Sequence, residues 1–263
     1  MLKKRLIGVI TIKNGWAVQS FGFNRYLPIG KPEIVAENLD RWGADEILLL
    51  EIDRSSTGSK ASIAGLGPNF PLLNRIVALG IATPITYAGG IRNELDAVEV
   101  IKCGAERIAI DFLFHDNSDL AQKIAEQVGT QAVIASLPLS AETEEVLWYN
   151  YAAKTYAPFS SRLEKIAKLF KDRFVSEALV IDHMHEGYRD SFNMKILENC
   201  PLPSSVPLIC FGGISEPTQV EAILKLSNVV AVGIGNSLNY SEHAIQKIKA
   251  GFSGTALRSA TYE

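Results

Sequence analysis

Four charged residues each stand at the start of a short apolar run, and their types suggest a group of ion pairs. They are Arg5 before LIGVI, Glu46 before ILLL, Arg107 before IAI and Glu177 before ALVI. Two guanidinium groups and two carboxylates at one end of a barrel would form a neutral ring, which excludes water but can part for a small uncharged molecule. The alternative is that each side chain simply extends into solvent from a strand end.

Carboxylates also occur at or near the far ends of these apolar runs. Glu51 and Asp53 follow ILLL, Asp111 follows IAI, and Asp182 follows ALVI. If these ends meet around a cavity, the carboxyl groups are candidate general acids and bases. Acids at strand ends also commonly cap the helix that follows, so a structural role stays open.

A third group is the segment DHMHEG, with Asp182, His183, His185 and Glu186. On an extended segment an HxH pattern puts both imidazole rings on one face, as a metal site requires. His115 is the only further histidine suited to such a site, since His243 is typical of a helix surface. HxH without a distant third ligand is common by chance, so we predict neither a metal nor another cofactor.

Eight short apolar runs must position these side chains, and amphipathic stretches lie between most of them. The runs are RLIGVIT (5–11), EILLLEI (46–52), PITYA (84–88), RIAID (107–111), QAVIASL (131–137), EALVID (177–182), PLICF (207–211) and VVAVG (229–233). The predicted helix faces carry Ile34, Val35, Leu39 and Trp42 in the helix at 32–43, and Leu95, Val98 and Ile101 in the helix at 94–104. Alternating β and α units of this number predict an α/β fold, a (βα)₈ barrel. An open doubly wound sheet is the alternative, but no GxGxxG follows the first run.

An internal repeat supports two half-barrels within one domain, 1–263. PITYAGGI at 84–91 recurs as PLICFGGI at 207–214, and GADEILLLEID at 43–53 is echoed by VSEALVID at 175–182. The segment 138–160 departs from this pattern and predicts a hairpin inserted after the fifth strand. Glycines at strand exits let backbone N–H groups approach a phosphate, although glycine also simply ends strands. The predicted phosphate-binding residues are Gly89, Gly90, Gly212, Gly213, Gly233 and Gly235.

Composition excludes several classes of function. The 263 residues are 47% hydrophobic and 21% charged, and the net charge of −3 offers no basic field for nucleic acid or a membrane surface. Cys103, Cys200 and Cys210 form no CxxC pair, which is typical of a reducing cytosol. No apolar run approaches the ~20 residues of a membrane span, and the N-terminal run is too short for a signal peptide. We therefore expect a cytoplasmic protein.

Several motifs together carry a family resemblance that extends nearly from end to end. They are MLKKRLIGVITIKNG at the N-terminus, GADEILLLEID, GTQAVI and both GGI turns. With these motifs the chain resembles the HisF family, the cyclase subunits of imidazole glycerol phosphate synthase in histidine biosynthesis. The resemblance implies that a HisH-like glutaminase docks at the lower end of the barrel and that ammonia enters through a gate of four charged residues. The positions that match this gate are Arg5, Glu46, Arg107 and Glu177, with Arg107 in place of a lysine. Glu106 matches an acidic residue that faces the glutaminase.

The upper end departs from the family pattern. Thr11 and Pro138 occupy the positions of the two catalytic aspartates, and neither side chain can act as a general acid or base near neutral pH. Gln19 replaces a lysine, and the family's DRDGT becomes MHEGY at 184–188. Asp111 stands where the family has a neutral side chain near phosphate, which a carboxylate would repel. The catalytic residues are therefore unknown, with Glu51, Asp111 and Asp182 as possible substitutes.

By this resemblance the chain is similar to divergent paralogs that act in the synthesis of surface polysaccharides. It would activate a glutaminase and conduct ammonia to a sugar amidotransferase, which makes an acetamidino group from an acetamido group. A small phosphorylated ligand would contact the glycine turns. The alternative is an active cyclase, a lyase of histidine biosynthesis, with relocated acid–base residues. Whether the chain is itself an enzyme stays open at this point.

Overall fold

The computed structural model describes residues 3–52, 67–111, 118–151, 153–240, 243–251 and 257. In chain order the strands are β1 (Arg5–Lys13), β2 (Trp16–Phe21), β3 (Arg25–Gly30), β4 (Glu46–Glu51), β5 (Ile85–Ala88), β6 (Arg107–Ile110), β7 (Val133–Ser140), β8 (Leu147–Asn150), β9 (Thr155–Pro158), β10 (Glu177–Asp182), β11 (Leu208–Phe211) and β12 (Val229–Ile234). The helices are α1 (Pro32–Arg41), α2 (Phe70–Val77), α3 (Glu94–Lys102), α4 (Ser118–Val128), α5 (Ser160–Lys171), α6 (Lys195–Glu198), α7 (Pro217–Leu224) and α8 (Ala244–Ala250).

Eight strands form a closed parallel barrel, as the sequence predicts. The order is β10-β11-β12-β1-β4-β5-β6-β7, and pairing of β7 with β10 closes the sheet. Every neighbouring pair around this circuit is parallel. A parallel sheet needs helical crossovers, which cover its outer face. The chain therefore has the (βα)₈ architecture, and all eight barrel strands begin at the same end.

Apolar side chains form two layers, one inside the barrel and one between the strands and the helices. Because side chains alternate along a strand, β1 contributes Ile7 and Val9 to the inside and Leu6 and Ile10 to the outside. We call the inside layer the inner cluster. Its buried members are Ile7, Val9, Leu48, Leu50, Ala88, Ala109, Ile134, Leu179, Ile181, Ile209, Phe211 and Ala231. This alternation decides which residues reach the barrel axis.

Two antiparallel hairpins stand on the upper end, where the barrel strands finish. The β8–β9 hairpin confirms the insertion predicted after the fifth strand. The β2–β3 hairpin was not predicted, and it continues directly from β1 through the turn at Asn14 and Gly15. Its own turn places Gly22 and Phe23 at positive φ, 60° and 50°. A phenylalanine in this conformation is uncommon, which conceals the turn from sequence patterns.

The predicted helix faces are partly wrong. Leu95 is 80% exposed and Ile34 is 56% exposed, although both were expected to face the barrel. In α3 the small Ala97 and Val100 are buried instead, and in α1 the buried residues include Leu39. The Asn93 side chain caps α3 by accepting a hydrogen bond from a backbone N–H, which fixes where the helix begins. None of the helices in the described part of the chain has the length and apolar character to cross a membrane.

Candidate functional site

The four charged residues at the strand starts form a closed ring at the lower end of the barrel. Arg5 contacts Glu46 at 3.3 Å (Nη1 to Oε2) and Glu177 at 2.6 Å (Nη2 to Oε2). Arg107 contacts the same two carboxylate oxygens, at 3.5 Å on Glu46 and 2.5 Å on Glu177. Each cation therefore bridges both anions. We call this group the charged ring.

Strand alternation explains why these side chains converge. The residue two positions after each ring member belongs to the inner cluster, so the ring side chains point to the same interior. The pairs are Arg5 with Ile7, Glu46 with Leu48, Arg107 with Ala109, and Glu177 with Leu179. The ring is thus the first layer of the barrel interior, and apolar layers follow it.

The ring is neutral and mostly shielded from water. The Arg5 side chain is the most exposed of the four at 21%, and Glu46 is only 4% exposed. Thr86 donates its hydroxyl to the second oxygen of Glu46, so this buried carboxylate is held on both sides. Arginine keeps its charge at any physiological pH and offers several donors in a fixed plane. The two positive charges of the ring therefore do not depend on pH in this range.

Glu106 lies beside the ring on the lower face of the barrel. It is exposed, and its carboxylate accepts a hydrogen bond of 2.6 Å from the backbone N–H of Ile85. With Gln131 and three ring residues it lines an open groove of about 480 Å³. The groove leads from solvent to the ring, so a protein covering the lower face would enclose the route to it.

The upper end of the barrel lacks titratable side chains at the two positions that the family resemblance marks as catalytic. Thr11 is buried and continues the inward series of Arg5, Ile7 and Val9 on β1. Pro138 is buried on β7 and is in register with Ile181 of β10. Neither can exchange a proton near neutral pH, so these two positions offer no acid–base pair.

The candidate substitute acids stand in different surroundings. Glu51 accepts a hydrogen bond of 3.4 Å from Asn69, the N-cap of α2. Asp111 follows β6 on the same side as Arg107 and Ala109, and it is half-buried. Asp53 lies outside the described residues.

Asp182 holds the turn that follows β10. Its carboxylate accepts hydrogen bonds from the backbone N–H of Asn193 at 2.8 Å and of His185 at 3.2 Å. Burial raises the pKa of this carboxyl group, although these bonds and the His185 ring oppose the shift. These contacts give Asp182 a structural role in holding the turn. A catalytic role for this carboxyl group would have to be compatible with these hydrogen bonds.

The histidine segment differs from the expected extended metal site. Residues 183–187 form a turn, and the two imidazole rings have different partners. The His185 ring contacts Asp182 at 2.9 Å, whereas the His183 ring stacks on Tyr149. Among the described residues no three His, Cys, Asp or Glu side chains are grouped as metal ligands. His115 lies outside the described residues.

The two GG turns occupy equivalent places in the two half-barrels. Gly89 abuts the end of β4, where an added Cβ would lie 2.2 Å from the Glu51 carbonyl oxygen. Gly212 abuts the end of β10, 2.6 Å from the Asp182 carbonyl oxygen. Both glycines have positive φ, at 119° and 105°. Gly89 follows β5 and packs against β4, and Gly212 follows β11 and packs against β10. This packing requires glycine at both positions, whether or not a phosphate binds.

Of the other predicted phosphate-binding glycines, Gly213 and Gly235 line a cavity of about 740 Å³ at the upper rim. Gly233 packs against Val9 at 3.0 Å, and Gly90 packs against Gly67 at 2.7 Å, each measured from an added Cβ. These two glycines therefore lie in close packing rather than open space.

The same cavity is lined by a buried carboxyl group, Glu186. It accepts hydrogen bonds from the Ser20 hydroxyl at 2.7 Å and from the Phe23 backbone N–H at 3.2 Å. Burial raises the pKa of Glu186 despite these two bonds. Asn236 adds further bonds to both the N–H and the carbonyl of Ser20. Glu186 and Asn236 thus fix the β2–β3 hairpin to the rim.

An aromatic stack that sequence patterns did not reveal surrounds His183 at the upper end of the barrel. The His183 ring lies between Phe23, at 5.4 Å between centroids, and Tyr149, at 3.9 Å. Tyr156 contacts the ring nitrogen Nδ1 through its hydroxyl at 2.7 Å, and the Tyr151 ring meets the imidazole edge-on. The signal available in the sequence was the aromatic-rich hairpin WYNY, together with His183 two residues beyond the inward Ile181.

Comparison with known proteins gives a consistent result. A family model described as Histidine biosynthesis protein matches residues 5–244. The imidazole glycerol phosphate synthase subunit HisF of Exiguobacterium sp. is 24% identical over 249 residues, which cover 95% of this chain and 93% of that protein. The same subunit of Pyrococcus furiosus is 25% identical over 249 residues and 95% of each chain. That of Phocaeicola vulgatus is 28% identical over 213 residues and 81% of each chain.

Proposed function

The chain belongs to the histidine biosynthesis protein family, and we propose that it is a HisF-like barrel subunit that pairs with a HisH-like glutaminase. In this proposal it activates the glutaminase and passes ammonia through the barrel to a sugar amidotransferase. The amidotransferase then converts an acetamido group to an acetamidino group during synthesis of a surface polysaccharide. The phosphate-binding role of the rim glycines belongs to the same proposal, as does Glu106 as a glutaminase contact.

The observation that carries the proposal is the complete charged ring beneath an apolar interior. Desolvating four charges is costly, and a buried ion pair is often no more stable than apolar residues of equal volume. A ring kept for function explains this cost better than one kept for stability. Behind it the inner cluster is apolar, with Ala88, Ala109 and Ala231 among its small members, which suits uncharged ammonia rather than ammonium.

The second support is the lack of acid–base groups at Thr11 and Pro138. Positioned acids and bases contribute roughly 10²–10⁴-fold each to a reaction rate, so losing both would cripple a cyclase. A subunit that only activates a partner and conducts ammonia needs neither group. The charged ring and the lack of acids at Thr11 and Pro138 therefore fit a subunit that activates a partner and conducts ammonia better than they fit a cyclase.

The test is reconstitution with the HisH-like glutaminase encoded by the same organism, carrying an affinity tag on the glutaminase. We expect the chain to co-purify and to raise glutamine hydrolysis at least tenfold, because HisF-like docking would complete the partner's active site. Failure to co-purify, together with an unchanged hydrolysis rate, would contradict the proposal.

Cyclase activity is the second candidate, favoured by the names of the relatives and by the inward side of β6 on which Asp111 lies. The purified chain would be supplied with the ribulosyl aminoimidazole-carboxamide substrate and an ammonium salt. We expect no turnover. Formation of imidazole glycerol phosphate would establish the second candidate instead of the first.

A further inference from the structure

The aromatic stack lies at the upper end of β10 and includes a residue that packs against the inner cluster. Along β10, Glu177 belongs to the charged ring, and Leu179 and Ile181 belong to the inner cluster. His183 follows β10 directly, in the turn at 183–187, and its ring lies 5.4 Å from that of Phe23 between centroids. Phe23 itself packs against the inner cluster. Through Phe23 the stack therefore borders the same interior that the charged ring begins.

We propose that Phe23, His183 and Tyr149 form a second gate, which closes the exit of the barrel against water until an ammonia acceptor is in place. This proposal rests on the proposed function, because an exit gate has a purpose only if ammonia crosses the barrel. A centroid distance of 3.9 Å between His183 and Tyr149 is van der Waals contact, which leaves no space for water between the rings. A conduit closed at both ends keeps ammonia from escaping before transfer.

The residues of the stack are held by contacts outside the barrel sheet's own strand pairing. Its fixed side is Phe23, on the hairpin that Glu186 and Asn236 secure to the rim. His183 is held by its backbone N–H, which donates to the Leu139 carbonyl at 2.9 Å. Tyr149 belongs to the other hairpin, so the ring contact joins two separate surface elements.

The movable side is the tip of the β8–β9 hairpin. This hairpin pairs with the barrel through only two residues of β7, Leu139 with Trp148 and Ser140 with Leu147. Trp148 is buried and anchors the base, while Tyr149 and Tyr156 lie nearer the tip. Lifting the tip separates Tyr149 from His183 without breaking any pairing between barrel strands. Local opening of a weakly attached element is much easier than global unfolding.

The experiment measures access to the interior with a thiol probe and requires no glutaminase. Ser136 is buried on β7, on the inward side between Ile134 and Pro138, so S136C places a thiol in the interior with little change in volume. Cys103 and Cys200 are replaced by serine. The S136C protein is treated with methyl methanethiosulfonate, and labelling is followed by mass spectrometry.

We expect Y149A and F23A each to accelerate labelling of the S136C thiol at least tenfold. Y156F keeps the aromatic ring but removes the hydroxyl contact with His183, so a smaller increase of about threefold is expected. It also tests the gate if an alanine variant fails to fold. Tyr240 is exposed on the same rim outside the stack, and Y240A should leave the rate within twofold.

Cys210 supplies the internal control, because it is fully buried in the outer layer and reports unfolding of the whole barrel. Accelerated S136C labelling with Cys210 unlabelled supports the gate. Equal S136C rates in the parent, Y149A, F23A and Y156F proteins would overturn it, as would labelling of both thiols together. If the labelling rates confirm the gate but no glutaminase is activated, the proposed function is contradicted, and only the conclusion that the aromatic stack limits access to the interior stands. If a glutaminase is activated while the labelling rates are equal, only the exit gate fails.

Discussion

At the scale of single residues, the lower end of the barrel carries paired charges, whereas Thr11 and Pro138 at the upper end carry none. Arg5 and Arg107 each bridge the same two carboxylates, so replacing either leaves a partly buried anion short of a partner. Thr11 and Pro138, at the other end, can neither give nor take a proton. The charged groups in the described part of this pair of sites therefore belong to the lower end.

Glu186 gives a pH-dependent prediction at this scale. Its folded-state pKa is raised by burial, so the folded protein binds the proton more tightly than the unfolded chain, and stability falls as pH rises through the interval between the two pKa values. Glu186→Gln removes that cost and can still accept from Ser20 and Phe23. We expect the variant to be more stable than the parent by about 1 kcal/mol at pH 7, with the difference vanishing near pH 4.

Urea unfolding at several pH values measures this difference. The matched control is Glu37→Gln, at an exposed pair with Arg41, where we expect at most a few tenths of a kcal/mol at any pH. A Glu186→Gln gain that is the same at pH 4 and pH 7 would show that the carboxylate charge is not its cause.

Residue types alone predicted the charged ring but not the aromatic stack. The ring was predictable because each member occupies the same place, the first position of a strand, and barrel strands begin together. The stack joins Phe23, Tyr149 and His183, which come from two hairpins and a turn far apart in the chain. No local pattern specifies how two surface hairpins meet, so this contact required the structure.

At the scale of elements, the repeat predicted the equivalent GG turns, and the geometry explains why both keep glycine. Gly89 lies against the end of β4 and Gly212 against the end of β10, so the same close backbone contact occurs in both half-barrels. Hydrophobic periodicity located the eight barrel strands and the β8–β9 insertion. It misassigned part of the buried faces of α1 and α3, in which the small residues Ala36 and Ala97 are buried.

Gly212→Ala tests the packing explanation. The new methyl group would meet the Asp182 carbonyl oxygen at 2.6 Å, and the residue would also keep an unfavourable positive φ. We expect a loss of about 3 kcal/mol in the free energy of unfolding, measured by urea denaturation. Gly80→Ala has a positive φ of 70° and nothing within 4 Å, so it should lose only about 1 kcal/mol. Equal losses at both positions would mean that the collision with β10 does not contribute.

At the scale of the whole molecule, one axis connects the functional features. It begins at the charged ring, continues through the inner cluster and ends at the stack on His183. The groove beside Glu106 opens to solvent at the lower end, and ring contacts on His183 join the two hairpins at the upper end. A barrel interior is packed rather than open, so passage of ammonia requires transient movement of side chains along this axis.

The most direct test of the proposed ammonia passage uses nitrogen isotopes in a complex reconstituted from this chain, a HisH-like glutaminase and a sugar amidotransferase. The complex receives glutamine with ¹⁴N in the amide group while the medium contains an excess of ¹⁵N-ammonium, and the acetamidino product is analysed by mass spectrometry. If ammonia travels inside the barrel, the product carries mainly ¹⁴N, and the double variant R5A/E46A increases its ¹⁵N content. A wild-type product whose isotopic composition follows the medium would contradict the central claim.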